Sequence, residues 1–188
     1  MAASLVIGVT GGIAAFKTAA LVSRLVQDGH AVSVAMTRAA TKMVAPATFA
    51  ALSGRRVATR VFDRAFPLGA HIELARGADL LCVAPASADF LAKAAVGLAD
   101  DVVSTLYLAF DGPVIVAPAM NAAMWNKPAV QRNVERLRED GVELLMPQPG
   151  WLSCREEGPG RMVEPEAIRK AIEAALVPKE RGGQPQQS

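Results

Sequence analysis

The chain reads as an α/β fold, a parallel sheet covered by helices on both faces. Three observations predict it. Short apolar, β-branched runs alternate with stretches whose apolar residues recur at helical spacing. Four of the runs stop at small or polar loops: Gly11-Gly12, Thr37-Arg38, Pro85-Ala86-Ser87 and Pro118-Ala119-Met120-Asn121. The 188 residues are 52% apolar but only 5% aromatic, which suits an Ala/Val/Leu interior in one compact domain.

The elements follow in order. Leu5 to Thr10 is the first strand, broken at Gly11-Gly12. Ala15, Ala19, Leu21, Val22, Leu25 and Val26 mark a helix over 14–27, ended by Asp28-Gly29. Ala31 to Met36 is the second strand. Pro46 to Leu52 is a short helix closed by Ser53-Gly54, and from Arg55 to Ala70 the pattern weakens to a loop or edge element. Ile72 to Arg76 makes one or two helical turns. Leu80 to Ala84 is the third strand, followed by helices over 88–96 and 102–110 split by Gly97 and Asp100-Asp101. Val114 to Ala117 is the fourth strand. Pro128 to Asp140 is an amphipathic helix stopped by Gly141, and Val142 to Met146 is the fifth strand. Pro147 to Met162 reads as a long Gly/Pro loop, a length that marks function or mobility. Glu164 to Leu176 is the last helix. The polar residues 178–188 read as a disordered tail, which leaves one domain over 1–177.

Composition excludes several classes. A formal charge of +2 offers no field for nucleic acid or anionic lipid. No run is long and apolar enough to cross a bilayer, and no basic segment precedes an apolar one at the N-terminus. Two cysteines make a disulfide framework improbable, and the chain reads as cytoplasmic. No His/Cys pair has ligand spacing, so no metal is expected, and no G-x-S-x-G elbow is present.

The strand-end loops carry the chemistry. Gly11-Gly12-Ile13 places bare backbone at a helix N-terminus, where N–H groups and the dipole favour an anion. G-x-G-x-x-G is absent. Thr37-Arg38 ends the second strand with a hydroxyl and a cation instead of a carboxylate for a ribose diol, which favours a mononucleotide over NADP. A tight turn needing glycine only for packing explains the same loop equally well. Ser87 is a helix cap or a ligand donor, while packing alone accounts for Ser104 and Thr105. His71 is a single histidine, a residue more often structural than catalytic, with a proton affinity near neutral pH. Cys154 lies in a polar Gly/Pro segment, unlike the usual buried structural cysteine, and Cys82 is inert core. Arg155 and Arg161 favour a Cys154 thiolate, whereas Glu156 and Glu157 oppose it.

Five stretches occur in the order of a known family: Thr10 to Lys17, the histidine of His71 to Ala75, Pro85 to Ala88, Pro118 to Trp125, and Cys154 to Met162. The chain resembles the homo-oligomeric flavin-containing cysteine decarboxylases over roughly Leu5 to Leu176. Within that family it is most similar to the enzymes that decarboxylate 4′-phosphopantothenoylcysteine in coenzyme A biosynthesis. The resemblance implies a Rossmann-like (flavodoxin-like) flavoprotein domain with FMN at the strand ends. The phosphate would meet Gly11, Gly12, Ile13, Thr37 and Ser87, with Asp89 and Ser104 nearby and Ala119 and Met120 beside the ring. Asn121 would hold the substrate's carboxylate or amide, with Met124, Ser153 and Met162 around it. Cys154, on a lid, would return the proton. His71 would enter from a neighbour in a homotrimer or a larger trimer-based assembly. The implied route oxidises the thiol carbon to a thioaldehyde, loses carbon dioxide and reduces the enethiol. The fused ligase domain usual in the family is not in this sequence, so a separate phosphopantothenate–cysteine ligase is expected to supply substrate. Alternatives on the same scaffold are peptidyl-cysteine decarboxylation, flavin prenyl transfer, and a non-catalytic FMN-binding regulatory subunit. The chain departs from the pattern at Asp89 and Asp101, where asparagine is usual, at Met43, where an aromatic is expected, and at Ser153-Cys154-Arg155, in place of Ala-Cys-Gly.

Overall fold

The computed structural model describes residues 2–177, so the expected polar tail lies outside the described residues. A parallel six-stranded sheet holds β1 (Ser4–Val9), β2 (Ala31–Met36), β3 (Val57–Ala58), β4 (Leu80–Ala86), β5 (Val114–Pro118) and β6 (Glu143–Leu144) in the order β3-β2-β1-β4-β5-β6. Pairing runs from Ser4↔Ala31 to Val9↔Met36 on one side of β1 and starts at Leu5↔Leu80 on the other.

Side chains alternate across each strand, so each central strand feeds two cores. Leu5, Ile7 and Val9 join Leu80, Cys82 and Ala84 on one face, under α1 (Ala15–Gln27), α2 (Pro46–Ser53) and α8 (Pro165–Leu176). Val6, Leu81, Val83 and Ala86 point to the other face, under α3 (Ala70–Arg76), α4 (Ala88–Val96), α5 (Val102–Ala109) and α7 (Pro128–Glu139). Gly8 lets α5 approach this second face, since a Cβ there would lie 2.9 Å from Val103 Cγ1. Among the described residues no helix is long and apolar enough to cross a membrane.

Three elements differ from expectation. The weak segment after Arg55 contributes β3, two residues at the sheet edge beside Val34 and Ala35. The fifth expected strand shrinks to Glu143–Leu144, because only Ile115 and Val116 offer it partners. The expected Gly/Pro loop is an antiparallel hairpin of β7 (Gln148–Trp151) and β8 (Glu157–Arg161). Its composition carries little strand propensity. Contact with a one-turn helix, α6 (Ala122–Trp125), and the backbone before it holds it in place.

Candidate functional site

The strand order reverses between β1 and β4, the place where open α/β sheets leave a crevice at their carboxyl ends. A cleft of about 650 Å³ opens there. Its floor comes from the loops after β1, β4 and β5, and its roof from the hairpin. A second cavity of about 310 Å³ lies at the opposite end of the sheet, around Ser4, Ala31 and Ser33. The larger one collects the strand-end loops.

Thr10 joins the first two loops. Its Oγ1 donates to the Pro85 carbonyl at 2.7 Å and accepts from Ser87 N–H at 2.8 Å, in a nearly fully buried position. Thr18 Oγ1 donates to the Ala84 carbonyl at 2.8 Å, which fixes α1 against the end of β4. The N-termini of α1 and α4 therefore converge on one spot. α1 has no side-chain cap, and its first N–H groups, on Ala15, Phe16 and Lys17, donate to the Gly12, Ile13 and Ala14 carbonyls, so an anion would meet the N–H groups of Ile13 and Ala14 just ahead of the helix, whereas Ser87 caps α4 by accepting from Phe90 N–H at 3.3 Å. A Cβ on Gly12 would make only ordinary contact, 3.6 Å from Pro85 Cγ, while one on Gly11 would strike Ala39 Cβ at 2.4 Å. Gly11 thus packs the turn onto the loop after β2, and Gly12 leaves backbone exposed to the cleft. The contact at Gly11 fits the tight-turn reading, and Gly12 on the cleft wall leaves space for the anion-loop reading.

The apolar wall is made of Ile13, Ala119 and Met120. Opposite stands the polar lip. Asn121 Oδ1 caps α6 by accepting from Met124 N–H at 3.0 Å, and its free amide Nδ2 donates to Cys154 Sγ at 3.9 Å. Residues far apart in sequence meet because the hairpin folds back: Met120 N–H donates to the Gly160 carbonyl at 3.0 Å, and Gly158 sits against Ala122. The far end of the hairpin is tied down by Lys17, whose Nζ lies 3.0 Å from Glu164 Oε1 and 3.4 Å from the Met162 carbonyl. Arg161 also pairs with Glu164. These two cations hold the Glu164 carboxyl below the usual carboxylate range, the Lys17 hydrogen bond being the largest cause. Met124, Ser153 and Met162 line the cleft alongside them.

Four expected residues are not among the cleft's walls. Thr37 Oγ1 accepts from Ala40 N–H at 3.2 Å in the turn after β2. Ser104 is fully buried in a capping box, accepting from Asp101 N–H at 3.2 Å. Asp89 is exposed and pairs with Lys93 at 3.0 Å. His71 begins α3 on the other face, and its Nδ1 is buried without a hydrogen-bond partner among the described residues. The unusual carboxylates also find a physical place. Lys93 Nζ sits 3.0 Å from Asp89, 2.9 Å from Asp100 and 3.1 Å from Asp101, and their combined pull drives its pKa up. Three negative charges are thereby gathered on one ammonium along α4, away from the cleft's walls. Met43 lines the cleft, at the position where an aromatic was expected. Sequence reading missed Phe16, Lys17, Trp151, Leu152 and Arg161 as wall residues. Phe16 and Lys17 lie one helical turn after Ile13, a spacing that could have found them, whereas the others depend on the hairpin.

The flavoprotein family model matches residues 2–177. The chain belongs to the flavoprotein family. Curated relatives of this flavoprotein include the coenzyme A biosynthesis bifunctional protein CoaBC of Bacillus subtilis, 47% identical over 166 residues, 88% of this chain and 41% of the relative. The protein of that name from Vibrio vulnificus is 43% identical over 93% of this chain and 44% of its own. The chain thus spans less than half the length of these relatives. Among solved structures, the FMN-dependent cysteine decarboxylase SpaF matches with a TM-score of 0.80 and 38% identity, over 93% of this chain and 95% of its own. A PPC decarboxylase mutant complexed with pantothenoylaminoethenethiol matches at 0.81 and 28%, over 93% and 98%. The FMN binding protein AtHal3 matches at 0.79 and 29%, over 93% and 96%.

Proposed function

We propose that this flavoprotein binds FMN and decarboxylates 4′-phosphopantothenoylcysteine to 4′-phosphopantetheine in coenzyme A biosynthesis. One observation carries the reading. The cleft at the reversal point places an open glycine backbone and an apolar wall opposite an amide and a thiol that touch each other. The likeness to CoaBC proteins and to a PPC decarboxylase supports the substrate.

The residues fit the cofactor. The N–H groups of Ile13 and Ala14 at the uncapped start of α1, beside Gly12 on the cleft wall, suit a phosphate, and Ile13, Ala119 and Met120 suit one face of a flat ring. When bound, FMN supplies the reversible two-electron oxidation of the carbon that bears the thiol. Without it, the carbanion left by carbon dioxide has no acceptor.

Asn121 has its Oδ1 committed to Met124 N–H, so the donor edge of its amide faces the substrate carboxylate. The Cys154 S–H then delivers a proton to the carbon that lost carbon dioxide. Trp151 and Leu152 cover the cleft and exclude water. His71 serves a neighbour's cleft in a trimer, a role supported by its place outside its own cleft's lining and by the Nδ1 without a partner among the described residues. A phosphopantothenate–cysteine ligase activity supplies the substrate, and the setting is cytoplasmic.

The test is carbon dioxide release and product mass from FMN-loaded protein given phosphopantothenoylcysteine. Release of carbon dioxide with pantetheine phosphate is expected. Activity only on a peptide ending in cysteine would move the substrate, and FMN binding with no turnover on either would leave a binding protein. Cys154→Ser should keep FMN and stop at the enethiol.

A further inference from the structure

The hairpin brings a second ionisable group to the sulfur of Cys154. Cys154 Sγ accepts from Asn121 Nδ2 and donates to Glu156 Oε2 at 3.7 Å. The turn between them is built for this. Leu152 N–H donates to the Glu156 carbonyl at 2.9 Å, Arg155 N–H donates to the Leu152 carbonyl at 3.0 Å, and Arg155 adopts φ +66°. A non-glycine residue in that region marks an over-determined turn, and here it folds residues 154 and 156 onto each other.

We propose that Glu156 is the proton relay of this site, reloading Cys154 from solvent after each turnover. The inference rests on the decarboxylase reading above. Replacing a carbon–carboxylate bond by a carbon–hydrogen bond takes up one proton per turnover. Cys154 provides it: its S–H bond breaks, the C–H bond forms, and the electron pair stays on sulfur as thiolate. That thiolate must regain a proton before the next substrate reacts. Asn121 steadies the sulfur, but a neutral amide has no proton to give up at ordinary pH. Glu156 is exposed and within reach of Sγ, so it takes a proton from water and passes it on. Its O–H bond breaks as the S–H bond forms, and the carboxylate is restored. Glu156 acts only through Cys154 and never touches the substrate.

The relay has a kinetic signature separate from that of Cys154 itself. FMN-loaded protein and phosphopantothenoylcysteine are mixed without oxygen, and carbon dioxide, enethiol, saturated product and flavin absorbance are followed over several turnovers. Glu156→Gln should complete its first turnover normally, because Cys154 begins protonated. Later turnovers should slow about 100-fold, the low end for a lost acid–base group, with enethiol accumulating and the flavin held reduced. Glu156→Asp should recover most of the rate, and Glu157→Gln, whose carboxylate does not meet the sulfur, should behave as wild type. Should the Gln variant fail to fold, the Asp variant is read instead, with a smaller slowing confined to later turnovers. Wild-type rates through many turnovers in Glu156→Gln, or failure already in the first turnover, would overturn the relay alone. A wild-type protein that releases no carbon dioxide would overturn the decarboxylase reading and the relay with it.

Discussion

Replacing Gly160 by alanine should unlatch the hairpin without unfolding the sheet. The Gly160 carbonyl accepts from Met120 N–H at 3.0 Å, and the glycine sits at φ +125°. A Cβ there would lie 2.2 Å from the Met120 carbonyl oxygen. The two backbones must separate by about 1 Å to restore van der Waals contact, which stretches the latch bond past useful length. Loss of that bond removes about 1 kcal/mol, and alanine at such a φ adds strain of order 1–3 kcal/mol. The sum, about 2–4 kcal/mol, shifts the latched equilibrium by roughly 30- to 1000-fold. The loss stays local because no residue of β7 or β8 belongs to either core, although the hairpin docks on α6 and the end of β5. Hydrogen exchange reads it directly. The Met120 amide should lose protection while those of Ile7 and Cys82, inside the sheet, keep theirs, and the KM for phosphopantothenoylcysteine should rise. Unchanged Met120 exchange together with an unchanged KM would refute the latch.

Three further outcomes follow from the same contacts. Gly11→Ala forces a Cβ to 2.4 Å from Ala39 Cβ, an overpacking of about 1–3 kcal/mol, so FMN titrated by fluorescence should bind roughly 5- to 150-fold more weakly; wild-type affinity would mean the turn is not the phosphate loop. His71→Asn should abolish turnover while the protein stays yellow, and mixed oligomers of His71→Asn with Cys154→Ser should regain part of the activity, because a neighbour supplies the missing group; no recovery would count against a shared site. Glu164, held by Lys17 and Arg161, has a carboxyl pKa below its unfolded value, so its stabilisation is present at neutral pH and is lost as pH falls through the lowered value. It is largely exposed, so the effect is about 0.5 kcal/mol or less after solvent screening, and the Tm gap between wild type and Glu164→Gln should close on acidification rather than widen.

What could be read in advance, and what could not, divides along a physical line. The strands β1, β2, β4 and β5 announce themselves because a strand buried on both faces needs an unbroken apolar run, and its end needs a small loop. Gly11, Gly12, Ile13, Ser87, Ala119, Met120 and Asn121 all line the cleft for that reason: strand ends fix them. The hairpin was hidden because Pro149, Gly150, Gly158, Pro159 and Gly160 are poor strand formers. Its glycines answer to tertiary contact, Gly160 to the Met120 carbonyl and Gly158 to Ala122, and no local pattern records such a contact. Thr37, Asp89 and Ser104, which do not line the cleft, show the opposite case. Thr37 and Asp89 are polar and just past a strand end, and Ser104 is polar in the first turn of α5, yet each side chain is engaged locally, by Ala40 N–H, by Lys93 and by the Asp101 capping box.

On the proposed mechanism, the same division explains why the reacting proton would sit on the roof of the cleft. A strand-end floor is rigid, since its backbone is committed to the sheet and its side chains to two packed cores. It suits a cofactor that stays through every turnover. Substrate must enter and product must leave, so the acid that meets them belongs on a part that opens without disturbing the core. The hairpin is tied to the strand end by the Met120–Gly160 bond and to α1 through Lys17 and Glu164. Such ties would cost little to break and re-form, and with them made Cys154 rests against Asn121 with Glu156 in contact with the sulfur. A loop without the β7–β8 pairing would bring the thiol back in many orientations. A strand of the main sheet would not open at all.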